Sequence, residues 1–66
     1  MNKSKMAKKL IELRGDKSRE RVAADLEISY SALVSYETSD RVPRDEVKIR
    51  IANYYNTPVE DIFFLT

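Results

Sequence analysis

The stretch from Ser18 to Glu37 restricts the fold of this 66-residue chain more than any other. Ser18 and Ser29 each precede a short helix-forming run, and a serine hydroxyl there accepts an orphan N–H of the first turn. Glu20 is favourable near the positive end of the first helix. Val22, Ala23 and Leu26 give that helix an inner face, with Ala23 small where the next helix must cross closely. Leu33 and Tyr36, three residues apart, give the second helix its own. The spacing predicts two short amphipathic helices joined by a tight turn. The outward face of the second carries Tyr30, Ser31, Val34 and Ser35, with no charge among them. An exposed helix face is normally charged. Hydroxyls and a methyl-bearing side chain suit instead the base edges displayed in a DNA major groove.

The flanking segments read as further helices. A first helix is expected from about Ser4 to Arg14, capped by Ser4, with Met6, Ala7, Leu10 and Leu13 on one stripe. Gly15, the sole glycine, would supply a left-handed residue after it. Beyond Glu37, Thr38-Ser39-Asp40 ends the helix. Arg41-Val42-Pro43 then forms a loop, because the residue before a proline is pushed out of helical geometry. A fourth helix over 44–55 is apolar at Val47, Ile49, Ile51, Ala52, Tyr54 and Tyr55, wide enough to predict the central, most buried helix, with Asn56 stopping it in αL. A short fifth follows, with Thr57 as cap, Pro58 at the first position and Glu60 at capping-box spacing. The expected fold is all-α, five helices in a single domain over residues 1–66, with no inducer-binding or self-cleaving domain.

Composition removes several classes of function. The chain has no cysteine and no histidine, so disulfides, thiolate zinc sites and histidine acid–base chemistry are out of reach. No nucleophile–base or metal constellation is present, so an enzyme, a metal and a cofactor are not expected. The longest apolar run, Ile62-Phe63-Phe64-Leu65, is far short of the roughly 20 residues of a membrane span. A soluble, cytoplasmic domain without a small-molecule ligand is expected. A chain of this size buries only about 60% of its unfolded surface, so self-association is the available reinforcement. Charge is uneven: residues 1–21 hold eight Lys/Arg against three Asp/Glu, while residues 22–66 hold four against eight.

Taken in order, these residues resemble the lambda-repressor-like family, also described as Cro/CI-type or XRE-like helix-turn-helix domains, over roughly residues 4–64. The resemblance rests on Met6…Leu10…Leu13-Arg14, Ser18…Val22-Ala23…Leu26, Ile28-Ser29, Leu33…Tyr36-Glu37, Arg41…Pro43, Ile51-Ala52 and Val59-Glu60-Asp61-Ile62-Phe63. Four features depart from the family pattern. Arg19 stands where a glutamine is usual, Glu27 where the turn usually has glycine, and Thr38-Ser39 where Asn-Gly is common. The connection Gly15-Asp16-Lys17 is about two residues shorter than the usual form.

The resemblance implies a helix-turn-helix at about residues 18–37 and a sequence-specific DNA-binding regulator. The expected form is a small dimeric repressor of phage, mobile-element or bacterial origin on a two-fold operator of double-stranded DNA. Tyr30, Ser31, Val34 and Ser35 would read bases. Lys17, Arg19, Ser29, Arg41 and Arg44 would hold phosphates or approach the minor groove. Arg14 and Glu37 would form a structural ion pair tying the reading helix to the core. The excess of apolar groups at the end of the chain points to a homodimer through Phe64 and Leu65 with Tyr54 or Tyr55. The competing reading is a protein-interaction module of the same fold, such as an anti-repressor or an antitoxin component.

Overall fold

The computed structural model describes residues 2–63. Among these residues lie five α-helices and no strand: α1 Lys3–Arg14, α2 Arg19–Leu26, α3 Tyr30–Glu37, α4 Asp45–Tyr54 and α5 Val59–Phe63. Phe64 and Leu65, expected in a dimer interface, lie outside the described residues.

Local chemistry sets most of the boundaries. Ser18 is extended and its Oγ accepts the Arg21 N–H, so α2 starts where a hydroxyl replaces a missing helical carbonyl. Asn2, not Ser4, caps α1: its side chain accepts from the Lys5 N–H, and the helix begins one residue earlier than Ser4. Asn and Ser are equally good caps, so residue type alone could not choose between them. Gly15 follows α1 with φ 56° but ψ −126°, a positive-φ conformation other than the expected αL. Such a φ is readily open to a residue without a Cβ. Asn56, at φ 51°, follows α4 as expected. The Thr57 hydroxyl donates to the Tyr55 carbonyl at the end of α4, 3.0 Å away, rather than opening a helix at Pro58.

The core is assembled from every helix. Met6 and Leu10 of α1, Val22 and Leu26 of α2, Leu33 of α3, Ile51 of α4 and Ile62 and Phe63 of α5 are all fully buried. Each such side chain contributes about 1.5–3 kcal/mol relative to exposure. α1 packs on α3 and α5, and α2 packs on α3 and α4. The expectation that α4 is the central helix is corrected. It buries one stripe, Val47, Ile51 and Ala52, while Ile49 is 54% exposed and Tyr54 and Tyr55 are partly buried. Ile49 lies two residues from both Val47 and Ile51, which places it across the helix from them. Counting apolar residues overstated burial because the apolar set surrounds the helix rather than facing one way.

Candidate nucleic-acid interface

The link between α2 and α3 is built at Glu27, which adopts the left-handed conformation at φ 59°, ψ 40°. Its N–H returns to the carbonyls of Ala23 and Ala24, and the Ile28 N–H reaches the Ala23 carbonyl at 3.0 Å. A residue with a Cβ costs roughly 1 kcal/mol there. An unforeseen contact reinforces the turn: Arg50 of α4 donates from Nη1 to the Leu26 carbonyl at 2.8 Å. The bond satisfies a terminal carbonyl of α2 and sets a cation at the negative end of that helix.

Ser29 then caps α3, its Oγ accepting the Ala32 N–H at 3.0 Å. With Leu33, Tyr36 and Glu37 buried, the helix turns Tyr30 (48% exposed) and Ser31 outward, while Val34 and Ser35 are half-buried. The last turn of α3 is closed by the chain that follows. The Thr38 hydroxyl donates to the Val34 carbonyl at 2.8 Å, and the Asp40 and Arg41 N–H groups converge on the Ser35 carbonyl at 2.9 and 3.2 Å. Ser39 takes positive φ (69°) to permit this. The fold-back carries the Arg41 guanidinium to 5.9 Å from the Tyr36 ring centroid, within reach of a cation–π attraction. Arg44 precedes α4 and lies 3.6 Å from Glu46, both groups well exposed. Ser29, Arg41 and Arg44 line one groove of about 470 Å³ between the turn and α4, together with Arg50 and Glu46.

Behind the reading helix lies a charge cluster. Glu37 is 3% exposed, and its two carboxylate oxygens are divided between two arginines. Arg14 Nε donates to Oε2 at 2.8 Å and Arg19 Nε to Oε1 at 2.9 Å. Arg14 also donates from Nη1 to the Lys17 carbonyl at 2.9 Å. The resemblance implied the first pair. The second was not foreseen: Arg19, expected at a phosphate, is held from inside the protein. Its guanidinium pKa is raised first by the hydrogen bond to Glu37 and then by a side-chain bond to Tyr30.

Other expected site residues also have partners within the chain. Lys17 sets its ammonium 4.9 Å from the Tyr54 ring centroid and 3.5 Å from its hydroxyl. Tyr54 in turn donates to Asp25 Oδ2 at 2.7 Å and meets the Tyr55 ring edge-on at 4.9 Å. Asp25 is also paired with Arg21 at 3.1 Å. The Tyr54 hydroxyl, followed by Arg21, holds the Asp25 carboxyl below the usual carboxylate range. Burial pushes the Tyr55 hydroxyl up to about 12.

A capped pair of helices around a left-handed turn, with the second helix turned outward and backed by a buried ion cluster, defines a helix-turn-helix domain. The model of the helix-turn-helix family matches residues 5–62, and the chain belongs to that family, of the Cro/CI or XRE-like type. It is a DNA-binding domain of the kind found in regulators. No curated protein and no solved structure gave a significant match. Among the described residues, no helix is long and apolar enough to cross a membrane.

Proposed function

We propose that the chain is a sequence-specific transcriptional repressor that binds a two-fold DNA operator as a homodimer. The observation that carries this reading is the uncharged outer face of α3, Tyr30, Ser31, Val34 and Ser35, on a helix whose ends are both fixed. Serine hydroxyls donate to or accept from several base edges, valine meets a thymine methyl, and tyrosine bonds a phosphate or a base. With no Arg, Asn or Gln on this face, no bidentate base contact comes from α3, and DNA shape supplies part of the specificity. Arg41 and Arg44 grip the backbone from the groove that Ser29 also lines. Arg19 adds a phosphate contact through the N–H groups that Glu37 does not take. Lys17 is a lesser contributor, since Tyr54 competes for its ammonium.

Dimerisation is proposed through the end of the chain and the neighbouring face of α4, where Ile49 is exposed beside Val59. The partners already held by Tyr54 and Tyr55 leave them a secondary role there. A two-fold dimer of this kind spans half-sites about 34 Å apart.

Selection of bound sites from random duplexes, with a mass measurement of the complex, tests the proposal in one experiment. A palindromic motif with two chains per duplex is expected. Failure to bind any duplex at ~50 mM salt, where phosphate contacts are strongest, while a protein partner co-purifies, would sink it. That outcome would favour the interaction-module reading, to which the acidic balance of residues 22–66 gives some support. Ser31→Ala or Ser35→Ala should change the bases preferred, whereas an unaltered motif would remove both from base readout.

A further inference from the structure

Arg50 carries a charge for which the chain supplies no counter-charge. It is half-buried on α4, and its bond from Nη1 to the Leu26 carbonyl, at 2.8 Å, engages a neutral acceptor. Among the described residues, no carboxylate lies within ion-pair distance of its guanidinium. A partly desolvated cation held only by a carbonyl is short of acceptors, and its remaining N–H donors suit an anion from outside. Arg50 borders the groove between the turn and α4, and its neighbours there share the same shortage. Arg41 also lacks a carboxylate partner and rests near the Tyr36 ring, which lines the groove too. Arg44 pairs with Glu46 at 3.6 Å, but both side chains are largely exposed and water screens them. Ser29 Oγ accepts the Ala32 N–H and keeps its own hydrogen for a further acceptor. Glu27 and Glu46 border the groove as well, so three arginines meet two carboxylates and a positive balance remains. Glu46, Val47 and Arg50 lie four and three residues apart, which puts them on the one face of α4 that looks toward the turn.

Resting on the DNA-binding reading above, we infer that Arg50 is a further DNA-contacting residue: with Ser29 and Arg41 it holds one backbone phosphate in the groove between the turn and α4. Ser29 immediately precedes α3, and a helix lying in the major groove has a sugar–phosphate strand on either side of it. An acidic protein segment would meet the same cations. Tyr30 and Ser31 stand exposed next to Ser29, however, and their uncharged face suits bases rather than carboxylates. The Arg50 guanidinium then does two things at once. One N–H braces the last carbonyl of α2, and the others take phosphate oxygens. The phosphate is thereby tied to the turn itself, whose left-handed residue Glu27 follows Leu26 directly.

The test pairs Arg50→Gln with duplexes of the selected motif in which one phosphate at a time is replaced by an uncharged methylphosphonate. Folded fraction is followed by circular dichroism, so that affinities refer to folded chain. Arg50→Gln is expected to weaken binding to all sequences alike, by about threefold or more at ~50 mM salt, with the base preference unchanged. The slope of log binding constant against log salt should fall by about one unit. One methylphosphonate should weaken the wild type and leave Arg50→Gln unaffected, the non-additivity of two groups that touch. If Arg50→Gln does not fold, Glu27→Gln replaces it. That change removes a negative charge from the same groove and should tighten binding to all sequences by about threefold.

An arginine that only braces the turn lowers the folded fraction and nothing else. An unchanged salt slope, or a methylphosphonate profile identical in wild type and variant, would therefore overturn the phosphate seat. So would a Glu27→Gln chain that binds no more tightly. Any of these leaves the regulator reading standing, because the wild-type chain still selects a motif. A wild-type chain that binds no duplex, while an acidic partner is held and is lost in Arg50→Gln, overturns both.

Discussion

Two acidic residues hold this small domain together, and they do so with different weight. Glu37 lies inside, with no exposed side-chain surface, and joins α1, α2 and α3 through Arg14 and Arg19. Asp25 lies at the edge, one-third exposed, and joins α2 to α4 through Tyr54, with Arg21 beside it. The bonds are of similar length, so geometry alone does not rank them. Water does. At Asp25 solvent screens the charges and can replace any partner that is lost. At Glu37 it cannot, and losing one member strands the others in a poorly solvated place. The buried cluster thus specifies where α3 stands, while the exposed one trims the surface.

The comparison, and the fold around it, is tested by five substitutions. Glu37→Ala should cost about 3 kcal/mol by urea unfolding, below the upper end for buried pairs because both arginines keep some contact with water. A loss comparable to that of an exposed pair would erase the distinction. Glu27→Gly in the turn should raise stability by roughly 0.5–1 kcal/mol by relieving the left-handed strain, offset by the greater freedom glycine has when unfolded. A lower melting temperature in this variant would mean that the glutamate side chain is engaged in a way its conformation does not reveal. Arg41→Ala should leave the fold intact while lowering the slope of log binding constant against log salt by about one unit. An unchanged slope would take Arg41 off the phosphate list.

The remaining effects are those of pH. The Asp25 carboxyl is held below its ordinary value by Tyr54, so its contribution is present above the unfolded carboxylate pKa and is lost as pH falls through the lower folded one. Tyr54→Phe should remove most of that acid sensitivity, and an identical acid titration in the variant would refute the assignment. The Tyr55 hydroxyl moves the opposite way, from 10 up to about 12 on burial. Its contribution is intact below pH 10 and disappears as pH climbs toward 12, a decline that Tyr55→Phe should abolish.

Most of the architecture was legible because it is local. Two serines at the right distance from two apolar faces announced α2 and α3, and hydrogen bonds three residues long sealed them. The buried positions of α1 followed from spacing alone. Other parts depended on which chain segments meet in space. The Arg19–Glu37, Arg50–Leu26 and Tyr54–Asp25 contacts join residues 18, 24 and 29 positions apart, and no periodicity marks such pairs in advance. One signal was there to use. Arg19 departs from the family's usual glutamine, and a charge in that place needs a counter-charge, which the already suspected Glu37 could supply. For Arg50 nothing in the sequence separates a helix-capping arginine from a solvated one. Apolar count misled at α4, where Ile49 belongs to the outer face.

The way α3 is fastened also bears on how such a domain can change over generations. The bonds that fix its ends use the Ser29 side chain, the Glu37 carboxylate and the carbonyls of Val34 and Ser35. A carbonyl is supplied by any amino acid. Positions 30, 31, 34 and 35 are therefore open to exchange without dismantling the anchorage. The helix behaves as a replaceable cartridge with four variable slots. Mutational drift could carry the protein from one operator to another through those slots while its stability stays nearly constant.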